Sequence, residues 1–150
     1  MKKIVASAKR RNLRVVSTNG CFDILHIGHA KNLAFAKSLG DILIVGVNSD
    51  NSVRALKGRG RPIISVRERL LMLAALGSVD YVFVFSEKTP ARWLRALKPD
   101  IHVKGGDRKR HEIVERKILK SQGTKLVLAA YIPEKSTTGI IEKILRSKRI

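Results

Sequence analysis

Residues 18–29 read TNGCFDILHIGH, and this stretch decides how the chain folds. It follows the β-branched pair Val15 and Val16 and runs into apolar residues at helical spacing that end at Gly40. This order predicts a strand, a tight turn and a helix that begins near Ile27. The free N–H groups at the start of that helix are then expected just beyond the strand's carboxyl end, where open α/β sheets bind phosphate-bearing ligands.

Two histidines make this stretch the strongest candidate for a functional site. His26 and His29 are three residues apart, so they share a face on a first helical turn, and Gly28 between them lets a ligand approach the backbone. The sequence has neither the G-x-G-x-x-G of a dinucleotide site nor the G-x-x-x-x-G-K-[ST] of a P-loop. The histidine pair therefore predicts an anion site, and Asp23 is expected either to cap the turn or to contact the ligand.

Length and composition predict one globular domain over residues 1–150, with 44% hydrophobic residues. No apolar run approaches the roughly 18 residues that span a membrane, and the basic N-terminus is not followed by an apolar segment. We therefore expect neither membrane insertion nor a secretory signal. Cys21 is the single cysteine, which excludes an internal disulfide and favours the cytoplasm. We interpret it as a small residue filling the turn rather than as a nucleophile.

The chain is strongly basic, with 31 Lys and Arg against 12 Asp and Glu and a formal net charge of +19. Such a surface attracts polyanions, so a basic nucleic-acid-binding adaptor is the main rival to an enzyme. The cations are spread over many segments, aromatic residues make up only 5% of the chain, and no RNA- or DNA-binding signature is present. Nucleic acid is therefore not expected as a substrate. The charge exceeds what phosphate-bearing substrates need, and the sequence does not explain the excess.

Strand patterns and helix patterns alternate along the whole chain. The predicted strands are 14–18, 42–48, 81–85, 101–103 and 125–129; the predicted helices are 3–9, 27–39, a short one over 53–56, one capped by Ser65 with Glu68, 91–97, 112–120, and one from Ser136 or Thr137 to about 145. Residues 57–62 are expected to form a loop. In the helix after Ser65, the expected buried face consists of Leu70, Leu71, Leu73, Ala74 and Leu76. The alternation predicts an α/β fold with an open parallel sheet and helices on both faces.

Polar clusters follow the predicted strands. They are Asn19 to Asp23, Asn48 to Asp50, Lys104 to Asp107 and Ser136 to Thr138, the last beyond a loop. In a parallel sheet the carboxyl ends of the strands share one edge, so these clusters are expected to meet there. One cleft that collects four separate segments is what a two-substrate enzyme requires.

The run from Gly20 to His29 resembles the HxGH signature of the cytidylyltransferase-like nucleotidyltransferases. Within that superfamily, the ordered stretches 18–23, 47–50, 56–58 with 61–62, 103–107 and 136–138 are similar to the adenylyltransferase domain that makes ADP-heptose from heptose 1-phosphate. The resemblance implies a three-layer Rossmann-like, five-stranded fold of the HUP type. It also implies an enzyme that transfers AMP from ATP to heptose 1-phosphate and releases pyrophosphate.

The sequence does not exclude other substrates. Glycerol-3-phosphate cytidylyltransferases and archaeal FAD synthetases share the HxGH core and give much of the same pattern. CTP in place of ATP, and another sugar or polyol phosphate as acceptor, are therefore alternatives. The heptose transferase is often fused to a sugar kinase, and because 150 residues leave no room for one, we expect a separate kinase. Similar enzymes are commonly dimers, which favours a homodimer, although the self-repulsion of this chain opposes association.

The resemblance also implies roles for individual residues. The attacking phosphate is already an anion, so the site must supply alignment and positive charge rather than a general base, and no covalent intermediate is expected. The expected catalytic residues are His26, His29 and Lys57. The expected nucleotide-binding residues are Asn19, Gly20, Cys21, Phe22, Asp23, Gly28, Lys104, Gly106, Asp107, Ser136, Thr137 and Thr138, and the expected substrate-binding residues are Asn48, Asp50 and Arg69.

Mg²⁺ is expected to enter with the triphosphate, as a metal–nucleotide chelate. Asp50 is a candidate for sugar hydroxyls or for magnesium, but no set of protein side chains is predicted to hold a metal. His102 and His111 are isolated, and no cysteine–histidine set has zinc-ligand spacing, so structural zinc is not expected.

Overall fold

The computed structural model describes residues 1–105, 113–130 and 136–147. Five strands, numbered in chain order, are β1 (Val15–Gly20), β2 (Ile42–Asn48), β3 (Tyr81–Phe85), β4 (Ile101–Lys104) and β5 (Lys125–Leu128). They form one sheet in the order β3-β2-β1-β4-β5, and every neighbouring pair is parallel. The predicted five-stranded parallel sheet is therefore confirmed, with β1 at its centre.

Seven helices lie in the described ranges. They are α1 (Lys2–Arg10), α2 (Ile27–Ser38), α3 (Asp50–Lys57), α4 (Val66–Ala74), α5 (Ala91–Leu97), α6 (Arg116–Ser121) and α7 (Thr137–Ser147). None of the helices in this part of the chain is long and apolar enough to cross a membrane.

Helices cover both faces of the sheet because successive strand residues point to opposite sides. Val16 and Leu43 pack in one core cluster with residues of α2 and α4. Val15 and Ile44, their neighbours along the same strands, pack in a second cluster with residues of α1, α5 and α6. The two clusters make the sheet the middle of three layers, as the α/β prediction requires.

Some element boundaries differ from the predictions. Asn19 and Gly20 continue β1 instead of opening a turn, because they pair with β2. Lys57 ends α3 rather than starting the following loop. The helix predicted from residue 112 begins only at Arg116. The chain just before it forms a turn, in which the Arg116 N–H donates to the Ile113 carbonyl at 3.1 Å; residue 112 lies outside the described ranges.

The predicted capping box at the start of α4 is confirmed, since Ser65 and Glu68 exchange both hydrogen bonds. The predicted buried face of this helix is partly wrong. Leu73 is buried, but Leu71 is 63% exposed and Ala74 is exposed. The inward stripe contains Arg69 with Leu73, four residues apart, and this spacing turns Leu71 and Ala74 towards the outside.

His102, which the sequence left as an isolated histidine, is fully buried between the sheet and α5. Its Nδ1 lies 2.8 Å from the Oγ of Ser17, and its ring meets that of Trp93 edge to face with centroids 5.9 Å apart. Burial lowers the pKa of His102 well below its ordinary value of 6.5, and the positive charge of Lys104 lowers it further. The folded protein therefore keeps this ring neutral.

Acid should weaken the fold through His102. Below pH 6.5 the unfolded chain binds a proton at this ring that the folded chain excludes, so its contribution is complete above pH 6.5 and is lost as the pH falls. We expect the free energy of unfolding to drop by up to about 1.4 kcal/mol per pH unit from this residue. Between roughly pH 7.5 and pH 5, the free energy of unfolding measured with urea should fall by about 2 kcal/mol less in His102→Gln than in wild type, so the pH slope of the variant is smaller. Equal slopes would contradict this assignment.

Candidate active site

Segments that are distant in sequence meet at the carboxyl edge of the sheet. Lys104, at the end of β4, donates from Nζ to Oδ1 of Asn19 near the end of β1, at 2.8 Å. Thr137, at the start of α7, donates from Oγ1 to the carbonyl of Ile24 in the turn after β1, at 3.2 Å. The end of β1 therefore contacts the end of β4, and the turn after β1 contacts the start of α7.

His26 and His29 face each other at the start of α2. Their ring centroids are 3.9 Å apart and the ring planes are inclined by 31°. His26 is the residue that precedes the helix, and its Nδ1 accepts a hydrogen bond from the Gly28 N–H at 3.1 Å. The buried Gly28 thus helps to fix the first imidazole. The contact between the two rings agrees with the shared face that their spacing predicts.

The hydrogen bond from Gly28 also decides the protonation of His26. An Nδ1 that accepts a hydrogen bond carries no proton, so Nε2 carries it. Burial lowers the pKa of His26, which favours the same neutral form. The site therefore presents an Nε2–H donor beside the positive end of the α2 dipole, and neither effect requires a charged imidazole.

Phe22 shapes the turn between β1 and α2. It has a positive φ of 50°, its side chain is buried, and its ring centroid lies 5.3 Å from that of His29. A Cβ at Gly20 would approach this ring to 3.1 Å. Gly20 thus leaves room for Phe22 to pack beneath the second histidine. The nucleotide contacts predicted for both residues stay predictions.

The carboxylate of Asp23 fixes the loop that leads to α4. It is buried, its Oδ1 accepts from the backbone N–H groups of Ile63 at 2.7 Å and Ile64 at 3.0 Å, and its Oδ2 pairs with Nε of Arg61. Both carboxylate oxygens are used within the protein. These contacts give Asp23 a positioning role, beside which its nucleotide contact stays a prediction.

Arg69 is the largest completely buried side chain of the site, at 0% exposure. Its Nε donates to the Ile64 carbonyl at 3.0 Å, one terminal nitrogen donates to the Cys21 carbonyl, and the other pairs with Oδ1 of Asp50 at 2.6 Å. The sequence analysis expected Arg69 to bind the substrate. In the structure the guanidinium has no exposed surface and its donors hold three parts of the protein together, which gives Arg69 a positioning role, and its substrate contact stays a prediction.

The end of β2 supports the start of α3. Asn48 is buried and donates from Nδ2 to Oγ of Ser52 at 2.9 Å, while Ser49 caps the helix by accepting from the Ser52 N–H at 3.3 Å. Asp50 begins α3, and its side chain is 28% exposed. Of the predicted substrate-binding residues, Asp50 therefore retains accessible surface, and a substrate contact by the buried Asn48 stays a prediction.

The remaining predicted residues lie at the borders of the site. Lys57 is exposed at the end of α3. Ser136 accepts from the Gly139 N–H at 3.0 Å at the start of α7, where Thr138 is exposed. Gly106 and Asp107 lie outside the described residues. Within the described ranges, no three or more His, Cys, Asp or Glu side chains are grouped so as to hold a metal ion.

Comparison with known proteins identifies the family of this chain. A family model described as Cytidylyltransferase-like matches residues 17–143. The chain belongs to the cytidylyltransferase-like family. It is 49% identical over 144 residues to the "Bifunctional protein HldE" of Geobacter sulfurreducens, covering 96% of this chain, and 49% identical over 147 residues to the protein of the same name from Helicobacter pylori, covering 98%. The match spans only 29% and 31% of the length of these two relatives.

A solved structure is also similar to this family member. The crystal structure of the lipopolysaccharide core biosynthesis protein from Thermoplasma volcanium superimposes with a TM-score of 0.69 and 33% sequence identity. The match covers 80% of this chain and 98% of that one. The similarity supports the Rossmann-like fold of the cytidylyltransferase-like chain.

One residue of this cytidylyltransferase-like site, Glu115, was not among the predicted site residues. Its Oε1 accepts from Nζ of Lys104 at 2.7 Å, and the two side chains are 5% and 14% exposed. Because Lys104 also donates to Oδ1 of Asn19, the Asn19 amide nitrogen is left to donate elsewhere. The carboxylate lies eleven residues beyond Lys104 in a charged stretch, so no spacing rule marks it.

Cys21 is a free cysteine of intermediate burial. Burial raises the pKa of the Cys21 thiol and outweighs the nearby cations, of which Lys57 lowers it most and Arg69 next. The thiol therefore stays protonated near neutral pH, which does not suit a nucleophile.

Replacing Arg69 should reveal how much of the site it supports. Arg69→Lys keeps the charge but cannot reach three acceptors with a planar fork, so we expect the free energy of unfolding to fall by about 3 kcal/mol. Arg67→Lys, on the exposed side of the same helix, should change it by less than about 0.5 kcal/mol. Urea denaturation of both variants measures the difference, and similar small losses would show that the buried contacts of Arg69 are unimportant.

Proposed function

We propose that this chain is a nucleotidyltransferase that transfers AMP from ATP to heptose 1-phosphate, giving ADP-heptose and pyrophosphate. The observation that carries the proposal is the pair of imidazoles, His26 and His29, with centroids 3.9 Å apart at the N-terminus of a helix. Membership of the cytidylyltransferase-like family and the similarity to proteins named HldE support it. Those relatives are named bifunctional, and the proposal concerns only the part that they share with this chain.

The proposed reaction is an in-line displacement at the α-phosphorus of ATP. An oxygen of the sugar phosphate forms the new P–O bond while the bond to the β-phosphate breaks, and pyrophosphate leaves with the electron pair. The attacking oxygen carries no proton, so the chain need not supply a base. Mg²⁺ enters as part of the Mg–ATP substrate and neutralises phosphate charge.

The chain's own contribution is alignment and electrostatic stabilisation. The Nε2–H of His26 and the N-terminus of α2 offer preorganised positive potential to the oxygens on which charge develops. His29 packs between His26 and Phe22, which limits how either imidazole can turn. Neither imidazole forms a covalent bond in this proposal. The rate therefore depends on a fixed geometry rather than on a reactive side chain.

Accessible polar groups around the histidines complete the proposed site. Lys57 at the end of α3 supplies a mobile positive charge for the triphosphate, and Thr138 with the N-terminus of α7 holds a further phosphate. Asp50 accepts hydrogen bonds from sugar hydroxyls with its exposed surface. The Asn19 amide donates to the nucleotide, because Lys104 already engages its oxygen.

A substrate matrix tests the proposal. ATP and CTP are each incubated with heptose 1-phosphate, glycerol 3-phosphate and FMN in the presence of Mg²⁺, and pyrophosphate release is measured. We expect the highest kcat/KM for ATP with heptose 1-phosphate, because the matching segments are those of the heptose branch. Preference for CTP with glycerol 3-phosphate would reassign the substrates, while no turnover with any pair would contradict an enzymatic function.

Replacing His26 by Asn tests the proposed donor separately from the helix cap. Asparagine is a good N-cap, so His26→Asn keeps an acceptor for the Gly28 N–H while it removes Nε2–H. We expect kcat/KM to fall by about 100-fold or more, as for the loss of one preorganised donor, with an unchanged melting temperature. Steady-state kinetics and thermal unfolding measure the two effects. Full activity in His26→Asn would exclude this imidazole from the reaction.

A further inference from the structure

Three neighbouring helices on one face of the sheet carry positive charge only. α1, α5 and α6 pack in the second core cluster, and α5 contacts both of the others. Every charged residue in these three helices is Lys or Arg, and each is exposed. We name this set the cationic face: Lys2, Lys3, Lys9, Arg10, Arg92, Arg95, Arg116, Lys117 and Lys120.

Little in the described structure neutralises the cationic face. Of the ion pairs formed within residues 1–105, 113–130 and 136–147, one involves this face: Arg92 with Glu87 at 3.3 Å, where the Arg92 side chain is 85% exposed. A pair so exposed contributes little. Of the other described helices, α3, α4 and α7 each contain an acidic residue, whereas α2 carries Lys31 and Lys37 without one, and Lys37 pairs with Asp80. The described helices thus differ in charge, and the cationic face combines three neighbouring helices that contain no acidic residue.

Folding does not explain this choice of charge. The helices are anchored by apolar residues such as Val5, Ala8 and Leu94, which are buried against the sheet. The outward positions only need to be polar, and mixed charges would satisfy that need with less repulsion. The phosphates of the proposed substrates do not explain it either, because the cationic face is the outer side of a helix layer and the histidine pair lies at the sheet edge.

We propose that the cationic face binds the surface of a lipid bilayer that contains anionic lipids. Each Lys or Arg near such a surface adds attraction. Because a bilayer surface is flat, cations on one side of the protein can contact it without a groove or pocket. Three helices side by side, with axes about 10 Å apart, bring their cations to a planar surface together. Val5 and Ala8 of α1 are buried in the core, so the proposed contact is with headgroups and involves no insertion.

Nucleic acid fits this face less well. A duplex is a cylinder, so it meets only a strip of a helix layer, and each of the three helices is packed against the core by its apolar residues. Single strands bind on exposed aromatic rings. The one aromatic residue of these helices, Trp93, is buried against Phe83 and His102. The cationic face thus has positive charge but no exposed aromatic ring in its three helices on which a base could stack.

Vesicle binding by the full chain tests the proposal. Two triple variants have the same net charge, six units below wild type. Lys3→Glu, Arg95→Glu and Lys117→Glu change one residue in each helix of the cationic face. Arg67→Glu, Lys143→Glu and Arg146→Glu change exposed cations of α4 and α7 and serve as the control. Co-sedimentation is measured with phosphatidylcholine vesicles with and without roughly 30% phosphatidylglycerol, at about 0.1 M and 0.5 M NaCl.

We expect wild type to bind only the vesicles with phosphatidylglycerol and to be released at the higher salt. Loss of each cation costs about fivefold in partitioning, and the introduced Glu residues also repel the anionic surface, so the triple variant of the face should bind at least about 100-fold more weakly. The control should lose far less, and both variants should keep the wild-type melting temperature. Equal losses in the two variants would show that overall charge is responsible. Absence of wild-type binding, or tighter binding to duplex DNA or RNA at the same salt, would also overturn the proposal.

Discussion

The buried guanidinium of Arg69 is the interaction on which the site depends. Its three contacts join the turn after β1 through the Cys21 carbonyl, the loop before α4 through the Ile64 carbonyl, and the start of α3 through Asp50. A buried cation is tolerated only when its donors are satisfied, so the three segments must hold these positions together. Asp23 adds the opposite charge nearby and ties the same loop to the same turn.

The positions of the two histidine rings depend on the turn that precedes α2. Phe22 packs against His29 and His29 against His26, so the position of each ring depends on a turn that Arg69 already holds. Because Gly28 fixes the tautomer of His26, the donor is oriented before any ligand arrives. The positive potential comes from the helix terminus, so the imidazoles can stay neutral, and the lower pKa of His26 is consistent with the proposed role as a hydrogen-bond donor.

Local sequence patterns predicted the helices and strands well. Contacts between side chains from distant segments were not predicted. The predicted bounds of β2 and β3, and the capping box at Ser65, agree with the structure because apolar runs and caps are encoded by adjacent residues. The burial of Arg69 was not predicted, since an arginine in a basic helix looks like surface until its partners from other segments are known. Glu115 was missed for the same reason: its partner, Lys104, lies on a different element.

The distribution of carboxylates links the site to the excess charge of the chain. Four of the ion pairs in the described residues hold one segment to another: Asp23 with Arg61, Asp50 with Arg69, Asp80 with Lys37, and Glu115 with Lys104. Each of these acidic residues is thus fixed in place by the fold, three of them around the candidate site. In the described part of the chain, the cations of α1, α5 and α6 form one ion pair, the exposed contact of Arg92 with Glu87. A surface that repels itself, and that folding does not require, is best explained by an external anionic partner.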